Sequence, residues 1–126
     1  MSRKPKVMIY DVETMYAVAP IWGLWEQNIQ HTNLISEPYM VCACWKYLGE
    51  KKMYSTSVTV ENPHDDKDIL MVLADAFNDA DAVITHNGNS FDHKVVNTRL
   101  AKHGLPPLDM KKPSIDTCVQ TKTSLK

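Results

Sequence analysis

No apolar run in this sequence approaches the ~20 residues that cross a bilayer, so no membrane partner is expected. The basic stretch Arg3-Lys4-Pro5-Lys6 is followed by only four apolar residues before Asp11. That is too short for the apolar core of a signal peptide, and a cytoplasmic protein is expected. Cysteine is scarce: three residues, an odd count, with no Cys-x-x-Cys spacing. Cys42 and Cys44 share one face of an expected strand and Cys118 stands alone, which indicates reduced thiols rather than a disulfide framework or a zinc site. Internal repeats and low-complexity tracts are absent.

What is present is an ordinary globular composition, with 44% hydrophobic and 23% charged residues in 126. That length supports one compact domain over residues 1–126. The net charge of −1 hides an asymmetry. Glu61 to Asp81 holds seven acids and one lysine, and Lys94 to Lys126 holds seven bases and two acids. The acidic block suits the solvated face of a helix. The basic block can attract a phosphate backbone.

Apolar patterning predicts strands at 7–11, 39–48, 53–60, 82–86 and near 114–116. Gly49-Glu50-Lys51-Lys52 reads as a hairpin turn. A helix capped by Asp65 or Asp66 follows, with Ile69, Leu70, Leu73, Ala76 and Phe77 at helical spacing. A second helix runs from about Ser90 or Phe91 to His103, closed by Gly104 and Pro106-Pro107. Residues 117–126 read as the opening turns of a third helix with no stop signal. Residues 15–38 fit no regular pattern. Trp22 and Trp25, at i and i+3, suggest a helical turn laid over the core, with a base-stacking surface as the other reading. The expected class is a mixed α/β sheet.

Two acidic motifs carry chemistry. Asp11-Val-Glu13-Thr14 ends the first strand, and its two acids lie on one face of an extended chain. His86-Asn87-Gly-Asn-Ser-Phe91-Asp92 joins a later strand to a helix. Three carboxylates at one sheet edge repel unless cations hold them, and oxygen ligands suit hard divalent ions. Such a cage can support metal-assisted phosphodiester cleavage.

Both motifs, followed by Ser114-Ile-Asp-Thr117, stand in an order that resembles the DnaQ-like (DEDD) 3′–5′ exonuclease superfamily. Its fold is ribonuclease-H-like. The nearest look-alikes are proofreading domains of family B DNA polymerases and small stand-alone exonucleases of phages and bacteria. The resemblance implies a five-stranded sheet of order 3-2-1-4-5 with strand 2 antiparallel. It implies a two-ion Mg²⁺ or Mn²⁺ site held by Asp11, Glu13 and Asp92. Thr14, Met15, Asn87 and Phe91 would line the terminal nucleotide. His86 and His93 receive no catalytic part, His93 being expected on a helix surface.

The partner implied is nucleic acid with a free 3′ end, DNA before RNA, in a bacterial cell or phage-infected host. The family's third motif, a Tyr or His before a fourth Asp, does not occur after Asp92, and Asp109 and Asp116 lie in the wrong elements for it. A C-terminally incomplete domain with little or no activity is therefore expected. Its missing helix would leave an apolar groove beside Asp11 open to self-association. The competing expectation is a nuclease-derived module that binds nucleic acid or a protein without cleaving.

Overall fold

A computed structural model describes residues 3–124. Five strands form one sheet: β1 (Val7–Thr14), β2 (Met40–Tyr47), β3 (Met53–Ser57), β4 (Ala82–Thr85) and β5 (Ser114–Asp116). Their order is β3-β2-β1-β4-β5. β2 runs antiparallel to β1 and β3, while β1, β4 and β5 are parallel. This is the expected order, with the expected strand reversed. Three helices complete the α/β fold: α1 (Lys67–Asp79), α2 (Asp92–Lys102) and α3 (Thr117–Ser124). Among the described residues no helix is long and apolar enough to cross a membrane.

Alternation in β1 sets the two faces. Met8, Tyr10 and Val12 are buried, while Ile9, Asp11 and Glu13 point to the open face. The buried face packs on α1, whose Ile69, Leu70, Leu73 and Phe77 are the core positions that helical spacing marks. Phe77 meets Tyr10 edge-on with ring centroids 5.8 Å apart. Each such side chain contributes roughly 1.5–3 kcal/mol on burial.

A bulge sits where β2 passes Glu13. Glu13 pairs with Cys42, but Thr14 pairs with Met40, skipping Val41. The extra residue turns Met40 onto the core face beside Ala43 and Trp45, with which strict alternation would not group it. α2 closes as a Schellman motif, Gly104 N–H donating to Ala101 O and Leu105 N–H to Leu100 O. Gly104 has φ +69°, which an L side chain rarely adopts.

Several expectations shift. β1 runs through the first motif to Thr14 rather than stopping at Asp11, and β3 ends at Ser57. α2 begins at Asp92. No helical turn covers the core at Trp22 and Trp25. Residues 15–38 form an arm instead. Its stem is tied by Met15 N–H to Tyr39 O at 2.9 Å and by a Val18–Ser36 bridge. The regular structure beyond the stem is a short 3-10 turn at His31–Asn33. The acidic block is largely solvated, as expected, except that Asp66 is fully enclosed.

Candidate active site

The β1–β4 ladder ends at the Ile9–Ile84 rung. Past it, Val12 N–H donates to Asp92 Oδ2 at 3.3 Å. Asp92 opens α2, so the carboxyl ends of two parallel strands and the start of a helix bring two acids together. That is where open α/β sheets gather ligands. Asp92 is 2% exposed. Burial, and then the charge of Asp11 beside it, push its carboxyl up to about 6.

Glu13 shares the open face with Asp11, directly opposite Cys42, while Asp11 is opposite Cys44. Burial and the neighbouring acids push the Cys44 thiol up, so it stays a thiol. Among the described residues no three of His, Cys, Asp and Glu converge tightly enough to hold an ion in this side-chain arrangement. Thus Asp11 and Asp92 are joined, and Glu13 is not drawn in with them. Thr14 leaves the sheet half-buried, and Met15 follows it, 36% exposed. Asn87 sits at φ 65° in the loop before α2. Phe91, immediately before Asp92, is 41% exposed.

Sequence reasoning gives no role to three groups about the site. Asp116 ends β5, where its carboxylate accepts from Asn87 N–H at 2.8 Å, Asn89 N–H at 3.1 Å and Cys118 N–H at 3.0 Å. Val119 N–H adds a longer contact at 3.4 Å. Burial alone would raise this carboxyl, but the four amides hold it below the usual range. It therefore caps α3 and braces the second motif at once.

His93 is not on a helix surface. It is 5% exposed, with Tyr10 Oη 2.5 Å from its Nδ1 and Ser114 Oγ 3.4 Å from its Nε2. Burial lowers the His93 pKa and, with Asp92 and Asp11, raises that of Tyr10. A protonated phenol therefore donates to a neutral imidazole, which can donate onward to Ser114. The sequence does carry a signal: His93, Val96 and Leu100 lie at i, i+3 and i+7 of one buried helix face. His86 is exposed, its Nδ1 2.9 Å from Thr117 Oγ1, which itself donates to Thr85 O at 3.1 Å. The single hydroxyl proton is thereby spent, so His86 Nδ1 donates.

A groove of about 520 Å³ lies on the open face, lined by Ile9, Asp11, Cys44, Ile84, His86 and Thr117 among others. The sheet rung Ile9–Ile84–Ile115, whose first two residues line it, is apolar across three strands.

The family described as the RNase_H superfamily matches residues 28–125. A DNA polymerase III PolC-type of Ureaplasma parvum serovar 3 is 45% identical over 58 residues, 46% of this chain and 4% of that protein. The family B DNA polymerase from the hyperthermophilic archaeon Pyrobaculum calidifontis superposes with a TM-score of 0.70 at 14% identity. That likeness covers 95% of this chain and 16% of the polymerase, and it bears on the fold. The chain thus spans a small part of either relative. Because the family match alone runs across well over half of its residues, the chain belongs to the RNase_H superfamily.

Proposed function

We propose that the protein is a metal-dependent nuclease that removes nucleotides from the 3′ end of DNA, in the cytoplasm of a bacterium or phage-infected cell. The observation that carries this reading is the meeting of Asp11 with buried Asp92 at the carboxyl ends of parallel strands. Two carboxylates held together leave negative charge uncompensated. Their oxygens suit Mg²⁺ or Mn²⁺, with Glu13 on the same face as the third ligand of a two-ion site. A divalent cation bound there supplies Lewis-acid polarisation of a phosphoryl oxygen and a more acidic water.

The chain's own residues supply the rest. Met15 and Phe91 offer apolar surface to a terminal nucleotide, Asn87 an amide and Thr14 a hydroxyl. Asp116 is committed to backbone amides, and His93 to Tyr10 and Ser114. Neither is free as a fourth carboxylate or a general base. The preference for DNA rests on the two relatives, both named DNA polymerases. A second reading, a module that binds without cleaving, draws on the lack of three converging donors among the described residues.

The deciding experiment offers a 5′-labelled single strand, with a free or a phosphate-blocked 3′ end, with and without Mn²⁺. Slow stepwise shortening only of the free end, and only with Mn²⁺, is expected. Intact strand under every condition, alongside measurable strand binding, selects the second reading.

Asp116→Ala should weaken Mn²⁺ binding about 10- to 100-fold, the usual cost of losing a group that orients ligands. Titration calorimetry checks it, and unchanged affinity would remove Asp116 from that role. The apolar rung beside Asp11 supports contact between copies through the groove. Sedimentation velocity should show mass rising with concentration; a monomer at every concentration would dismiss the contact.

A further inference from the structure

The arm that leaves β1 directly after Glu13 displays aromatic rings to solvent. Tyr16 is 73%, Trp22 70% and Trp25 63% exposed. Large apolar side chains at such exposure need an explanation when they cluster. The tip around them is also internally organised. Gln27 Nε2 donates to Gly23 O at 2.8 Å, and Trp22 N–H donates to Gln27 Oε1 at 3.3 Å. The benzo rim of Trp25 abuts Gly23, so close that a Cβ there would fall 1.5 Å from its Cζ3. One side of this ring is therefore seated on backbone while much of the rest stays open. A ring held that way has already lost the freedom that binding would otherwise remove.

We propose that this arm is a stacking platform for the bases of single-stranded nucleic acid lying beyond the terminal nucleotide, with Trp25 as its fixed ring and Trp22 beside it. The proposal rests on the nuclease reading of the adjoining carboxylates. Two observations favour nucleic acid over a polypeptide, and the charge of the arm sets how it would be held. The arm is continuous with the site: Val18 is five residue steps past Glu13, at most about 17 Å on an extended chain. From Met15 to Ser36 the charged side chains are Glu26 and, when protonated, His31, with no lysine or arginine. Binding through the arm thus relies on rings and neutral polar groups rather than on phosphate pairing. Those groups are dense past the rings, in Gln27, Asn28, Gln30, Thr32 and Asn33. Stacked rings with amides beside them are how unpaired bases are held.

The test measures binding of a fluorescent single-stranded 12-mer to the 126-residue chain in Ca²⁺, with an abasic 12-mer as the probe lacking bases. Stacking on one aromatic ring contributes about 1–3 kcal/mol per base, so Trp25→Ala should weaken the 12-mer by roughly 5- to 150-fold. Trp25→Phe should recover part of that loss. Gly23→Ala, which keeps the ring but unseats it, should also weaken binding. The abasic strand should bind both wild type and Trp25→Ala alike, and tryptophan fluorescence should be quenched by the normal strand alone.

Unchanged 12-mer affinity in Trp25→Ala, or an equal loss with the abasic strand, overturns the proposal. A wild-type chain that binds no 12-mer also overturns it and hands the arm to a protein partner. Mn²⁺-dependent hydrolysis of a thymidine monophosphate nitrophenyl ester, too short to reach the arm, separates the two layers. If that ester is cleaved while the stacking tests fail, the nuclease reading stands and the platform falls.

Discussion

Asp11→Asn should abolish Mn²⁺-dependent shortening of a 3′ end, with a loss of at least about 10³-fold. The substitution preserves shape and removes one negative oxygen from the pair that Asp11 forms with Asp92. Metal-borne charge stabilisation amounts to several kcal/mol. Each 1.36 kcal/mol is tenfold in rate, so about 4 kcal/mol gives that figure. The fold should not suffer, because Asp11 lies on the open face of β1 and presses a like charge on a buried carboxyl. Thermal unfolding without Mn²⁺ should therefore show a melting temperature no lower than wild type. Wild-type degradation rates in Asp11→Asn would locate the chemistry elsewhere.

The largest effect on stability is expected at Asp66. Its carboxylate is wholly enclosed and accepts four hydrogen bonds: Met40 N–H at 3.0 Å, Arg99 Nε at 2.7 Å and Nη2 at 2.9 Å, and His103 Nε2 at 2.6 Å. It joins the start of β2, the start of α1 and the end of α2. Asp66→Ala would leave the Arg99 guanidinium, 12% exposed, with only the more distant Glu37 at 3.6 Å. Breaking a buried pair from one side costs about 3–5 kcal/mol. That is a large share of the roughly 5–15 kcal/mol typical of a domain, and it lowers the melting temperature by roughly 10–20 °C.

The pH dependence follows from the same contacts. Burial alone would raise the Asp66 carboxyl, but Arg99, the Met40 amide and His103 outweigh it and hold it below the usual range. A carboxyl lowered by folding contributes stability that is fully present above its unfolded value, about 3.9, and is lost as pH falls through the folded one. Urea unfolding of wild type should weaken below about pH 4, with a shallower acid limb in Asp66→Asn. Identical acid limbs would refute this account.

Much of this architecture is legible in the amino-acid order. β1 and α1 declare themselves by period, and the sheet order follows from placing both acidic motifs on one fold. Asp11 and Asp92 stand out because each belongs to an acidic motif that follows a short apolar run. The residues that stay hidden share a cause: each acts through a partner distant in sequence. Asp66 reads locally as a helix cap, yet its side chain makes no cap and turns to Arg99 and His103, one helical turn apart at the end of α2. Asp116 serves in the sequence only as a marker of order, because its donors, the Asn87 and Asn89 backbone amides, carry no side-chain signature. The arm is hidden for a different reason. Helical spacing suggests packing for Trp22 and Trp25, but Pro20, Gly23 and the stem pairing hold that stretch away from the core.

The position of β1 at the centre of the sheet bears on the order of folding. Its neighbour β4 begins at Ala82, so the first strand made on the ribosome waits for a partner from the far half of the chain. Tyr10 reaches His93 across 83 residues, and Val12 reaches Asp92 across 80. Closing such long loops is slow, and until then the β4-facing edge of β1 is exposed to wrong partners. The β2–β3 hairpin and α1 can form early from local contacts, but the carboxylate pair cannot. Assembly of the proposed site is thus tied to a late long-range step of folding, and a partly folded chain would hold most of its secondary structure without the carboxylate pair.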